Sequence, residues 1–244
     1  MEHNSLAFGL VYLEKAFHQP MSFLIRVQLP DTPGSLGELA EAIGAVDGNI
    51  KSVDIVDTAP DGTVTDDIVV ELPVGTLADT LITAASTVKG AEVDSIRPFS
   101  GRVDRRGQIN LLSSIAKKTH NIQAAMEQLV QAMPQALTSS WAIVADTSGT
   151  IKRVAGSSAA PEDDGTIPSD LEVDTARHLS PDTEDWIPTS WALLDSSLAA
   201  TPIGSTGLVL IIGRVGGPDF LASEVEHLGN LGTILDAFLN RAAC

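Results

Sequence analysis

The stretch Phe23–Asp57, FLIRVQLPDTPGSLGELAEAIGAVDGNIKSVDIVD, constrains the chain most. It reads as strand, tight loop, helix, turn and strand. Phe23, Ile25, Val27 and Leu29 alternate with Leu24, Arg26 and Gln28, the period of a half-buried strand. Pro30-Asp31-Thr32-Pro33-Gly34 stops that strand, since two prolines remove ladder donors and Gly34 permits positive φ. Ser35 is a good N-cap and Glu38 completes a capping box. Leu36, Leu39, Ala40 and Ile43 then give the helix an apolar stripe, which Val46 extends past its end. Gly44 and Gly48 are stop signals, and a second strand follows with Ile50, Val53 and Ile55 as its inward residues.

This geometry exposes a chemistry. The first amides of a helix lack intrahelical partners and carry partial positive charge. At Gly34, Ser35 and Leu36 such amides suit a carboxylate or another small anion. Asp31 at the loop mouth can accept from an ammonium group, and Asn49 at the start of the next strand can donate and accept. Together these match the two ends of an amino acid. The same residues also serve as plain turn formers, Asp31 in the loop and Asn49 before a strand.

Asp31-x-Pro33-Gly34-x-Leu36, a helix, then Gly48-Asn49-Ile50 resembles the ACT domain. The remaining elements fit: Thr65–Leu72 as a third strand after Pro60-Asp61-Gly62, Leu77–Val88 as a second helix, and Ala91–Arg97 as a fourth strand. The resemblance covers Met21–Phe99 and implies a ferredoxin-like βαββαβ fold. It also implies an amino-acid effector, held where the first loop of one copy meets the second strand of another. Asp31, Gly34, Ser35, Leu36, Asn49 and Ile50 fall on those positions. Many members of that family only pair with each other.

Length and charge bound the rest. The chain has 244 residues and a formal net charge of −17, which argues against nucleic acid or anionic membrane as partners. Residues 1–100 carry 15 acidic and 5 basic side chains, 101–136 carry 2 and 5, and 137–244 carry 15 and 5. Two acidic modules joined by a basic connector suggest an extension (1–20), an ACT-like domain (21–100), a basic linker (101–109) and a second domain (110–244). The single cysteine, Cys244, permits no disulfide within the chain, and a reducing cytoplasm is the simplest compartment. Leu6–Leu13 is too short to span a membrane. Residues 1–20 are either an added helix or precede a true start at Met21.

Ser100–Gly107, with Arg102, Arg105 and Arg106, reads as a solvated hinge. One long helix is expected from Asn110 to Met133, with a heptad seam of Leu112, Ile115, Thr119, Ile122, Met126, Leu129 and Met133. A second seam, Leu221, Val225, Leu228, Gly232, Leu235 and Leu239, marks a C-terminal helix capped by Ser223 and Glu226. Two seams suggest a four-helix bundle across a dimer axis; the alternative is packing on the domain's own sheet. Between them lie expected strands at Ser140–Asp146, Thr150–Ala155, Trp191–Asp195, Leu198–Ile203 and Leu208–Gly213. Pro202 marks the fourth of these as an edge or bulged strand. Leu171–Leu179 reads as a short helix, and Gly156–Ser169 as a loop.

That order, with Ala145-Asp146-x-x-Gly149 and Pro218-x-Phe220, resembles a GAF domain over Asn110–Ala243. The resemblance implies an antiparallel sheet flanked by terminal helices, and a regulatory module that binds a small molecule under a long loop or merely dimerises. Its wall here is Gly156–Trp186, where Trp186 and Trp191 either line a pocket or fill a core. The overall class is α+β. No HExxH, GxSxG, GxxxxGK[ST] or GxGxxG is present. Asp182, Glu184 and Asp185 near His178 read as a solvated loop rather than metal ligands, and Asp66-Asp67 as a strand-edge charge. The expectation is a non-catalytic cytoplasmic sensor without cofactor or metal, homodimeric, answering to a small effector and acting on a regulated enzyme or signalling protein. An interaction module without a ligand is the first alternative, and an unrecognised enzyme using the GAF-like pocket the weaker one.

Overall fold

The computed structural model describes the backbone of residues 21–99, 105–162 and 171–242. The chain divides into two compact units, Met1–Arg102 and Val103–Cys244. Both are antiparallel sheets with helices, so the class is α+β. The expected extension, 1–20, and the start of the linker, 101–104, lie outside the described residues.

In the first unit the order is β1 (Met21–Pro30), α1 (Ser35–Ala45), β2 (Asn49–Thr58), β3 (Thr63–Leu72), α2 (Asp79–Ala85) and β4 (Glu92–Pro98). The sheet runs β2-β3-β1-β4, every neighbour antiparallel. Phe23, Ile25, Val27 and Leu29 share one face with Ile68, Val70 and Leu72, and that face packs on Leu39 and Ile43 of α1 and Leu81 and Ala85 of α2. Leu24, Arg26, Asp67 and Val69, on the other face, are buried too.

Two expectations fail here. Val53 and Ile55 are exposed rather than buried, although they lie opposite Ile68 and Asp66, because β2 is a sheet edge. Asp66 and Asp67 are not edge charges; β3 is an interior strand and both are buried.

The second unit opens with α3 (Arg105–Ala116) and α4 (Ile122–Ala136). These replace the single expected helix, and α3 starts inside the stretch read as linker. Asn121 ends the continuity: its side chain accepts from the Ala124 amide at 3.1 Å and caps α4. The two helices form an antiparallel hairpin, with the Gln108 side-chain amide donating to the Ala136 carbonyl at 3.0 Å. Strands β5 (Trp141–Asp146), β6 (Lys152–Gly156), β7 (Arg177–Leu179), β8 (Ser196–Pro202) and β9 (Leu208–Val215) make a sheet of order β6-β5-β9-β8-β7. Helix α5 (Ala222–Ala242) closes the chain.

Leu171–Leu179 is therefore not a helix; only its end is regular, as β7. The expected strand at Trp191–Asp195 is a 3₁₀ turn at Thr189–Trp191 followed by Leu194 and Asp195 at positive φ. β8 is interior, yet β7 reaches only Ala200, so Pro202 sits where no neighbour needs its missing donor.

One face of this sheet packs under all three helices. Val225, Leu228, Leu235 and Leu239 of the C-terminal seam turn inward onto it, and Gly232 lets α5 approach the Pro202 carbonyl, with which an added Cβ would collide. That seam is filled by the unit's own sheet, so it is no dimer seam. The cap differs as well: Glu224, not Glu226, accepts from the Leu221 amide at 2.8 Å. Glu224 also holds the fully buried Arg214, whose guanidinium lies 4.1 Å from the Phe220 ring centre.

Candidate functional site: the loop after the first strand

Beyond Pro30 the backbone turns at once. The Asp31 amide donates to the Gly62 carbonyl at 2.8 Å and the Ser35 amide to the Thr32 carbonyl at 3.2 Å. Gly34, at φ 104°, is the N-cap of α1, and its carbonyl accepts from the Glu38 amide at 2.9 Å. The expected capping box is thus absent: Ser35 is already helical, and its hydroxyl pairs with that of Thr32 at 2.8 Å. A side chain at Gly34 would meet nothing within 4 Å, so the glycine serves the positive φ and not a close contact. Among the described residues the Leu36 and Gly37 amides donate to no backbone acceptor. Asp31 and Gly34 are exposed, Ser35 is half-buried, and Leu36 is 38% exposed. The corner is open to a ligand and has a carboxylate at its mouth.

Asn49 and Ile50 are elsewhere. Asn49 pairs with Glu71 while Pro30 pairs with Thr63, so they mark opposite ends of the sheet, and β3 stands between β1 and β2. Nine residues of strand separate the two ends by about 30 Å. Within one chain Asp31, Gly34, Ser35 and Leu36 come together; Asn49 and Ile50 join them only if a second copy supplies them.

Asp66 is the polar residue that sequence reasoning missed. It lies opposite Val27 and Ile55 on the helix-covered face, with 2% of its surface exposed. One carboxylate oxygen has no partner among the described residues. Burial, followed by the charges of Asp67 and Asp54, pushes its pKa up. Its signal was present in TDDIVVEL, where Asp66 is in phase with Ile68 and Val70. Asp67, on the opposite face, accepts twice from the buried Arg26, at 2.7 and 2.9 Å.

In the second unit the face turned away from the helices is filled. Trp141, Ile143, Leu171, Val173, Leu179, Ile187 and Trp191 form its core, with Trp186 packed against it. Trp191 lies 6.2 Å from Trp141, tilted by 59°, and 6.4 Å from Trp186, edge-on at 86°. The expected wall, Gly156–Trp186, includes residues 163–170, outside the described ones.

Arg177 clamps Glu184 through two hydrogen bonds, at 2.9 and 2.7 Å, and Glu184 also accepts from the Ser180 amide and the Trp186 indole. The Arg177 bonds hold the Glu184 carboxyl below its usual range. Asp146 is lowered likewise, by the Ser148 hydroxyl first and then the Ser148 amide. Glu184 is therefore a structural anion. Among the described residues no three His, Cys, Asp or Glu side chains are grouped to hold a metal ion, and no helix is long and apolar enough to cross a membrane.

No protein-family model matches the chain, and no curated protein matches it. Solved structures do. The GAF domain of a phosphoenolpyruvate-protein phosphotransferase from Coxiella burnetii is 14% identical, covers 57% of this chain and 95% of its own, and has a TM-score of 0.41. The chromophore-binding domain of an unusual bacteriophytochrome from R. palustris is 13% identical over 93% of this chain and 98% of its own, with a TM-score of 0.38. The ACT domain of a GTP pyrophosphokinase from Chlorobium tepidum is 20% identical over 33% of this chain and all of its own, with a TM-score of 0.25. At such scores the α+β class rests on the strand orders described above rather than on these likenesses.

Proposed function

We propose that this chain is a non-catalytic, cytoplasmic regulatory protein that senses a small ligand, an amino acid, at the loop between β1 and α1. One observation carries the reading: an exposed helix start, opened by Gly34 at φ 104°, leaves the Leu36 and Gly37 amides without backbone acceptors beside the exposed Asp31. The ligand's carboxylate takes the amides and its ammonium takes Asp31. Asn49 and Ile50 of a second copy complete the site, which makes the homodimer part of the function.

Binding favours one arrangement of the paired first units, and the chain passes that preference through α3 to the second unit and a regulated partner. The single long helix expected from Asn110 to Met133 is instead the α3–α4 hairpin, which belongs to the second unit. Coupling of this kind is typically about 1–3 kcal/mol. A net charge of −17 supports neither nucleic acid nor anionic membrane as that partner.

Isothermal titration with a panel of amino acids tests the proposal. Heat is expected for one or a few of them, and its loss in Asp31→Ala and in Asn49→Ala. A folded dimer that gives no heat with any amino acid removes it.

The second reading is an interaction module without a ligand. It is favoured by the filled aromatic face of the second unit, which offers packing in place of a pocket. Capture of a partner protein by the ligand-free chain, with every titration silent, would select this reading.

A further inference from the structure

The face of the first sheet turned away from α1 and α2 is dry. Leu24, Arg26, Asp67 and Val69 stand on it, 3%, 2%, 1% and 0% exposed. Arg97, opposite Leu24, is buried beside them. A sheet with helices on one face ordinarily turns the other to water. On the edge strand β2 the expected contrast is inverted. Ser52 and Asp54, on the face without helices, are half-buried, while Val53 and Ile55, on the helix side, are exposed. The described residues of this unit do not supply the cover: both helices pack on the opposite face, and the connections are short turns at the sheet ends. Arg26 and Asp67 satisfy each other through two hydrogen bonds, so what Leu24 and Val69 require above them is apolar area.

Residues 1–20 have the pattern, the length and the point of attachment for that cover. Leu6, Leu10, Leu13 and Phe17 recur at four, three and four, one apolar side of a helix. Asn4 and Ser5 are N-cap types ahead of it, and Pro20 ends it. In that form residues 6–17 are about 18 Å long. A strand of the length of β1 offers about 33 Å. His18, Gln19 and Pro20 add about 10 Å of tether, about the spacing of packed layers. The tether meets the sheet at Met21, the start of the interior strand β1, and so enters at mid-width. The first compact unit takes in residues 1–102. A second copy on the same face would instead bring another net charge of −17 against it.

We propose that residues 1–20 cover the free face of the first sheet, laying Leu6, Leu10, Leu13 and Phe17 over Leu24 and Val69 and sealing the Arg26–Asp67 pair from water. The segment is then a third layer of the unit. Its short tether makes the contact intramolecular, so a modest apolar area suffices. The same contact withdraws this face from any partner and leaves the corner at Gly34 and the edge strand β2 as open surfaces of the unit.

Methyl NMR of the full chain tests it. The Leu24 and Val69 methyls should show nuclear Overhauser contacts to the methyls of Leu6, Leu10 or Leu13. A mixed sample of labelled and unlabelled chains should show none of these contacts between chains. In a double variant, Leu10→Glu with Leu13→Glu, the Val69 methyls should open to a soluble paramagnetic agent. Their accessibility should reach that of Ile55, which is 58% exposed and should be open in both proteins. Contacts seen only between chains overturn the proposal and put a second copy on the face. Contacts to residues beyond 20 in place of these, or no contacts at all, overturn it too. Val69 methyls that stay shielded in the folded double variant do the same. Should the double variant fail to fold, the wild-type contacts decide alone.

Discussion

The two units make opposite use of a loop beside a sheet. After β1 the chain turns through Gly34 and leaves backbone donors open to solvent, with no side chain within 4 Å of where a Cβ would stand. In the second unit the residues around Trp186 and Trp191 close over the sheet, and three indoles pack on one another. An open corner is held by backbone geometry and contributes little to stability. A filled face is held by buried area and contributes much. The contrast teaches where to look for a ligand: the weakly packed corner leaves backbone donors open, and the aromatic face is already filled by the unit's own side chains.

Four measurements break or sharpen that contrast. Trp191→Ala should have the largest effect, since it removes an indole that contacts two others. A loss of about 3–5 kcal/mol is expected in chemical denaturation. A cost near zero would mean that the face is a pocket after all.

Gly34→Val should cost on the order of 1–2 kcal/mol through its positive φ alone, because there is room for the side chain. It should also weaken any ligand at the corner; full stability in this variant would show that the loop has relaxed to another backbone shape.

Asp66→Asn should act in the opposite direction. The folded chain holds the Asp66 proton above its ordinary value of 3.8. Folding stability therefore falls as pH rises from about 3.8 through the raised value and stays level beyond it. The substitution should flatten that slope and add on the order of 1 kcal/mol at neutral pH. Thermal melts from about pH 3.5 to about pH 8 read both effects.

The smallest effect belongs to the half-exposed clamp. Glu184 is held below its ordinary 4.5, so its contribution is fully present above that value and is lost as pH falls through the folded value. Arg177→Met should return the Glu184 carboxyl toward 4.5 in an NMR titration, with under about 1 kcal/mol lost.

How legible was this in the residues? The alternation of Phe23–Leu29 and the Pro30–Gly34 punctuation carry the first strand and the corner, because both signals are local. The heptad count through Thr119 misled, since periodicity says nothing of direction. Asn121, a good cap four residues after Lys117, was the sign that the helix stops and returns. Leu171–Leu179 and Trp191–Asp195 were misread because a three-residue strand and a 3₁₀ turn are too short to show a period.

The exposure of Val53 and Ile55 depends on β2 lying at the sheet edge, which is set by strand order and not by its own composition. For the candidate site, Asp31, Gly34, Ser35 and Leu36 were local enough to be read together. The separation of Asn49 from them follows from strand order, which no short stretch encodes.

The most direct test follows the amide signals of the full chain by two-dimensional NMR while amino acids are added one at a time. The account predicts saturable shifts centred on Gly34, Leu36 and Gly37, with the Asn49 signal moving at the same ligand concentration. Signals at the corner that stay fixed for every amino acid, or shifts confined to the residues around Trp186 and Trp191, would contradict it.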